Sequence, residues 1–205
     1  MRHIIYYSQN AWTSGNFDDL MKAGRMDIVC HVVINSLFVS RQMRDEVVLH
    51  LVLAGPPDPV KHIEISPLEH EKRKLTFDEE KRIDISKKDI AGLIKRMLYK
   101  YKEGRKNEVF PGCWIEKKPL FKIIDELIEQ GLEVYVLDKK GENIRDMKLE
   151  PDGVYIFGDH DGLPKVELKR LKKKAKLISL GKKMYFASQS VTILNHELDM
   201  IEFQN

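Results

Sequence analysis

The chain has 205 residues, 42% hydrophobic and 33% charged, with a net charge of only +3, a balance that suits one well-buried α/β domain with a heavily charged surface. The opening residues lack the apolar core and cleavage site of a secretory signal, and no apolar run approaches the roughly 18 residues that span a bilayer, so a soluble, cytoplasmic protein is expected. Cys30 and Cys113 stand far apart outside any CxxC pairing, and seven histidines are scattered without an HExxH pattern, so neither a disulfide framework nor a metal site is expected.

Residues 2–8 (RHIIYYS) read as an apolar strand ending in the polar tip Ser8-Gln9-Asn10. Residues 17–23 read as a short helix stopped by Gly24. Residues 27–40 carry apolar side chains at helical spacing and read as a buried helix, with strand as the alternative that their β-branched content keeps open. Residues 46–53 (EVVLHLVL) form a central strand, broken at once by Ala54-Gly55-Pro56-Pro57-Asp58-Pro59, where the prolines forbid both helix and ladder. Residues 60–65 and 81–85 alternate as strands and suggest the two arms of a hairpin.

Ser86 is a hydroxyl N-cap for a helix reaching about Tyr101, with Asp89 in its first turn and Gly104 beyond its end. A second helix is expected over 119–130, with Pro near its start and Gly131 past its end. Strands follow at 133–137, 154–157 and 176–180, and a last helix at 188–200. Strands alternating with helices predict a mainly parallel sheet covered on both faces, in a single domain over residues 1–205.

Charge is spread unevenly. Residues 1–70 carry six Lys/Arg against eight Asp/Glu, whereas residues 161–183 carry nine Lys/Arg against Asp161 and Glu167. Such a stretch, with Lys172, Lys173 and Lys174 at its centre, reads either as a footprint for a phosphate backbone or as a solvated lysine-rich helix. Three strands run into glycine-containing turns, at Leu137-Asp138, at Gly158-Asp159-His160-Asp161-Gly162 and at Leu180-Gly181. Ligands of open α/β sheets settle at such strand ends. Neither GxGxxG nor GxxxxGK[ST] occurs, so a dinucleotide fold or a P-loop has no support.

The segments HIIYYSQNAWTSGNF (3–17), AGPPDP (54–59), IFGDHDGLP (156–164) and LISLGKKMYFASQSVTILNHELD (177–199) resemble the archaeal tRNA pseudouridine N1-methyltransferases of the SPOUT class. The resemblance runs over essentially the whole chain. It implies a trefoil knot over about 132–205, a homodimer, tRNA as partner and S-adenosylmethionine held by the knot loops. Carried onto this chain, the cofactor residues are Leu137, Gly158, the loop Leu180, Gly181, Lys182, Lys183, Met184, Tyr185 and Phe186, and Ser190, where some members carry cysteine. A side chain added at Gly158 is expected to intrude on the cofactor's space.

The N1 nitrogen of pseudouridine must lose its proton as it attacks the methyl group, and a positioned carboxylate can take it. Asp58, stiffened by its prolines, is the candidate, against the plain reading of a turn aspartate. Asn10 suits either a uracil edge or a loop cap, and Arg25 either a phosphate or an ion pair with Asp27 or Asp19. Trp12 suits stacking on a base or packing in a dimer. Asp159, His160 and Asp161 read mainly as groups that shape a loop. The competing functions are the same chemistry on a pseudouridine of ribosomal RNA, and an RNA-binding protein without catalysis.

Overall fold

The computed structural model describes residues 1–40, 42–67 and 86–204. Strand β4 (Val47–Leu53) is buried along its whole length, the pattern of a strand covered on both faces. It pairs in parallel with β1 (Arg2–Ser8), which pairs in parallel with β9 (Val154–Gly158). β9 pairs with β8 (Val134–Asn143), and β8 with β10 (Lys176–Ser179), both in parallel. On the other side, β5 (Lys61–Ile65), β7 (Cys113–Glu116) and β6 (Asn107–Phe110) continue the sheet antiparallel. The eight strands run in the order β10-β8-β9-β1-β4-β5-β7-β6, and β2 (Phe38–Val39) and β3 (Gln42–Met43) form a small separate pair.

Alternation along each strand assigns the two cores. Ile4, Tyr6, Leu49, Leu51 and Ile63 belong to the cluster that includes α1 (Met26–Leu37), α2 (Lys87–Tyr99) and α5 (Ala187–Gln204). Ile5, Val52, Val136 and Ile156 pack with α3 (Leu120–Glu129) and with Leu171 of α4 (Lys165–Leu171). Helices thus lie on both faces of a mainly parallel sheet, as the sequence predicts. Among the described residues, no helix is long and apolar enough to cross a membrane.

Helix ends follow their local chemistry. Ser86 accepts from the Asp89 amide while the Asp89 carboxylate accepts from the Ser86 amide, a reciprocal cap for α2. The NHELD segment ties α5 down. Asn195 accepts from the buried Arg2 guanidinium at 2.9 Å and donates to the Asn35 carbonyl at 3.2 Å, and Asp199 accepts from Arg44 at 2.6 and 2.9 Å.

Two expectations need correction. Residues 17–23 form turns and no helix: the Asp19 side chain accepts from the amides of Met21 and Lys22, closing a tight turn that cannot propagate. The strand expected at 81–85 lies outside the described residues; β5 pairs with β4 and β7. β8 runs on to Asn143, six residues beyond the expected end, where it continues to pair with β10 after a shift in register.

Candidate functional site

A cavity of about 370 Å³ opens where β9 and β10 end at their carboxyl edges and β8 parts from β9 after Val136, a place where the chain diverges in a parallel sheet. Leu137 and Asp138 come from β8, Gly158–Leu163 from the β9 loop, and Ser179–Gly181 from the end of β10. Lys183, Met184, Tyr185, Phe186, Gln189 and Ser190 close it from the segment leading into α5. The structure therefore gathers nine of the ten expected cofactor residues around one space; Lys182 is exposed and is not among the lining residues. Asp138, Asp159 and Gln189 line it as well; Asp138 and Asp159 stand in the turns that the sequence marks, and Gln189 was given no role there.

The lining suits a cofactor that is part apolar and part hydrogen-bonding. Leu137, Leu180 and Met184 supply apolar surface, and the glycine-containing turns bring backbone groups to the wall. Gly158 acts differently from the expectation. A Cβ there would lie 2.3 Å from the Gly162 carbonyl carbon and 2.5 Å from the Leu163 amide nitrogen, so glycine lets the 158–163 loop fold back on its own strand. A side chain would displace that loop before it filled the cavity.

Asp159 holds the loop to its neighbour. Its carboxylate is buried and accepts from the Gln9 amide at 2.9 Å, the Ser8 hydroxyl at 3.3 Å and the Asp161 amide at 3.0 Å. Asp159, His160 and Asp161 bring possible metal-ligand atoms together, but the Asp159 oxygens are already used in shaping the turn. Asn10, in the loop after β1, donates to Asp161 at 3.5 Å. That loop is pressed against two glycines: a Cβ at Gly24 would sit 1.6 Å from the Asn10 carbonyl oxygen, and one at Gly55 2.3 Å from it.

Thr13, which stands in no pattern that would mark it, locks the same loop to residues 54–59. Its hydroxyl donates to the Gly55 carbonyl and accepts from the Asp58 amide, while its own amide donates to the Pro56 carbonyl. Asp58 thus stands one loop away from the cavity and outside its lining. Its oxygens accept from Lys117 and Lys61, each at 2.5 Å. These lysines, Lys117 first, hold its pKa down at about 2. Lys61 is buried, with its ammonium 3.7 Å from the centre of the Tyr101 ring.

The basic candidates are placed on the surface with partners. Arg25, in a left-handed backbone conformation, forks onto Asp27 with two bonds of 3.0 Å. Lys172 lies 3.6 Å from Asp138 in the cavity wall, and Lys174 pairs with Asp125 at 2.5 Å; Lys173 is exposed. The Lys174–Asp125 pair is exposed on both sides, and such a pair is weak and does not prevent a phosphate contact. Trp12 is half-buried against the first core. Met184 and Phe186 leave large apolar surfaces exposed at the cavity's lip.

The family model described as "Putative SAM-dependent RNA methyltransferase" matches residues 1–203. A tRNA (pseudouridine(54)-N(1))-methyltransferase of Methanosarcina acetivorans is 35% identical, over 98% of this chain and 92% of its own length. A protein of the same name from Methanococcoides burtonii is 34% identical, over 97% of this chain and 96% of its own. Among solved structures, Archaeoglobus fulgidus Nep1 bound to S-adenosylhomocysteine shares the fold, with a TM-score of 0.59 at 16% identity, covering 91% of this chain and 76% of that one.

Proposed function

The chain belongs to the family of S-adenosylmethionine-dependent RNA methyltransferases, and from that premise we propose that it methylates N1 of pseudouridine 54 in the T-arm of cytoplasmic tRNA. The observation that supports this most is the cavity at the carboxyl ends of β9 and β10 beside the middle of β8, built from glycine-containing turns and apolar side chains. Relatives at this identity and coverage carry the substrate in their names.

When bound, S-adenosylmethionine would supply a methyl group on a positively charged sulfur; transfer forms the N1–C bond, breaks the C–S bond with its electron pair left on S-adenosylhomocysteine, and passes the N1 proton to solvent water. Leu137, Leu180 and Met184 form the apolar wall against the cofactor, and the turns at Gly158 and Gly181, with Lys183, Tyr185, Phe186 and Ser190, enclose it. Lys182 stands beside this loop with its side chain outside the wall. Asp159 fixes the β9 loop against the loop after β1, and so sets the distance between the methyl donor and whatever Asn10 holds.

Asp58 faces the acceptor base in this proposal, in a role narrower than proton removal. A carboxylate held by two ammonium groups is a weak proton acceptor at neutral pH, because base catalysis works best when the base's pKa lies near the working pH. Its part is to accept a hydrogen bond from the base and orient it. Lys172, Lys173 and Lys174, with Arg25, supply phosphate contacts that position the RNA without reading its sequence. The homodimer and the trefoil knot implied by the sequence resemblance belong to the same proposal. The exposed Met184 and Phe186 are available to a second copy.

The test is incubation with labelled methyl donor and T-arm RNA carrying either pseudouridine or uridine at position 54. Mass analysis of the nucleosides should find one methyl group on N1 of pseudouridine and none on uridine. Methylation of both, or of a ribose hydroxyl, would overturn the assignment.

A further inference from the structure

We propose that His50, His62 and Glu64 form a binding site for one divalent transition-metal ion of the zinc class, separate from the cofactor cavity. The three residues line a second cavity, of about 300 Å³, between α3 and the face of β4 and β5. Its lining shares no residue with that of the first. His50 and His62 are buried on the sheet face where alternation calls for apolar side chains, as at Val52 beside them. Polar groups at core positions mark functional or strained sites more often than folding requirements.

The ligand atoms already converge. His50 Nδ1 lies 3.0 Å from His62 Nε2 and 4.0 Å from a Glu64 carboxylate oxygen, and the three ligand atoms all lie within 4.8 Å of one another. Zinc–nitrogen bonds of about 2.0–2.1 Å at a tetrahedral angle put two nitrogens roughly 3.3–3.4 Å apart, so the pair opens by only a few tenths of an ångström. Two imidazoles and a carboxylate form a donor set that zinc, nickel and copper accept and that leaves a position for water.

The surroundings hold the ligands as a metal site does. His62 Nδ1 is 3.3 Å from Glu116 Oε1, and a carboxylate that accepts this proton turns the Nε2 lone pair toward the ion. His50 Nε2 is 3.0 Å from His3 Nδ1. With neutral rings and no ion, each Nδ1–H donates along the row from His3 to His50 to His62 to Glu116. On metal binding, the proton between His50 and His62 moves to His50 Nε2, which then donates to His3, and His3 carries its own proton on Nε2. All three rings stay neutral and no proton is released.

Two cations face the site. Lys106 donates to both oxygens of Glu64, at 3.0 and 2.9 Å, from a half-exposed position at the cavity's edge, and Lys118 bridges Glu116 and Glu126. Lys106 therefore competes with the ion for Glu64. Methyl transfer needs no metal, so the site can be filled or emptied without altering that chemistry.

The experiment uses the full chain, free of any histidine tag and stripped with chelator, titrated with Co²⁺ followed by visible absorption and with Zn²⁺ by calorimetry. One ion per chain is expected, with the ligand-field bands of a four-coordinate site. Glu64→Gln should weaken binding about tenfold or more, and Lys106→Met should strengthen it by removing the competing ammonium. Neither replacement disturbs a fully buried residue, and circular dichroism will confirm that both variants fold. Absence of a stoichiometric site, or an affinity indifferent to both substitutions, would overturn the proposal and leave the histidine row as a closed hydrogen-bond chain in the core.

Discussion

Replacing Asp58 by Asn separates two roles for this carboxylate. A group that removes the N1 proton in the transition state contributes about 10²–10⁴-fold. The structure argues for much less. Lys117 and Lys61 donate to opposite oxygens at 2.5 Å and hold the pKa at about 2, against an ordinary 3.8. The depressed pKa keeps Asp58 charged at every pH where the RNA is handled, so its own titration puts no acid limb on turnover above about pH 3. Asn retains an acceptor oxygen and loses the charge, and the expected fall in single-turnover methyl transfer is about tenfold, the scale of one hydrogen bond. The assay is quenched single turnover with saturating RNA and donor from pH 5 to 9, where wild type and variant should give parallel profiles. Lys117→Met sharpens the comparison: it frees one oxygen and raises the Asp58 pKa. An orienting carboxylate loses position and the rate falls, whereas a proton acceptor becomes a better base and the rate rises. A loss of 10² or more in Asp58→Asn together with a faster Lys117→Met would refute the orienting role and restore proton removal.

At Gly158, Ala should suffice to displace the 158–163 loop, because its Cβ would meet the Gly162 and Leu163 backbone inside 3 Å; calorimetry should show S-adenosylmethionine binding weakened about tenfold or more in a folded protein, and unchanged affinity would remove this loop from the site. Replacing Lys172, Lys173 and Lys174 together by Ala should weaken RNA binding at low salt and flatten its logarithmic salt slope by roughly one unit for each phosphate no longer neutralised; an unaltered slope would mark them as ordinary surface. Asn195→Ala removes the acceptor for Arg2 and the donor to Asn35 at a buried position; thermal unfolding should show a loss of about 2–3 kcal/mol, or roughly 5–10 °C in a chain of this size, and a shift under 2 °C would mean that the Asn195 bonds add nothing to what already holds α5.

What could be read from the sequence follows from how each feature is encoded. β4 is legible because a strand covered on both faces must be apolar almost throughout, as VVLHLVL is, and β1 because RHIIYYS carries the unbroken apolar and aromatic run Ile4–Tyr7 at its centre. β6 and β7 went unread because four-residue strands at a sheet's antiparallel edge carry mixed faces, NEVF and CWIE, and too few residues to establish a period. Residues 17–23 misled for the opposite reason: Phe17 and Leu20 give a helical spacing, yet Asp19 captures the amides that a helix would need. The cavity was legible in part by position, since a parallel sheet puts its ligand where strands end: Gly158 ends β9 and Leu180 follows β10, whereas Leu137 stands inside β8, just past the last residue that pairs with β9.

Lateral neighbours were not legible. Periodicity assigns a residue to a face and says nothing of which residue stands beside it on the next strand, so the lysines that weaken Asp58 as a base, one of them 59 positions away, left no trace in the pattern around AGPPDP. The histidine row has the same character. His3, His50 and His62 look scattered along the chain, and only the order β1-β4-β5 makes them neighbours. One signal was present all the same: a histidine at the centre of VVLHLVL interrupts the most apolar strand of the sheet. A polar group buried at such a place must find a partner on an adjacent strand, since leaving it unpaired costs about 1–3 kcal/mol. A lone histidine inside an otherwise apolar strand therefore points to further polar residues on its neighbours, and here His3, His62 and Glu64 answer it.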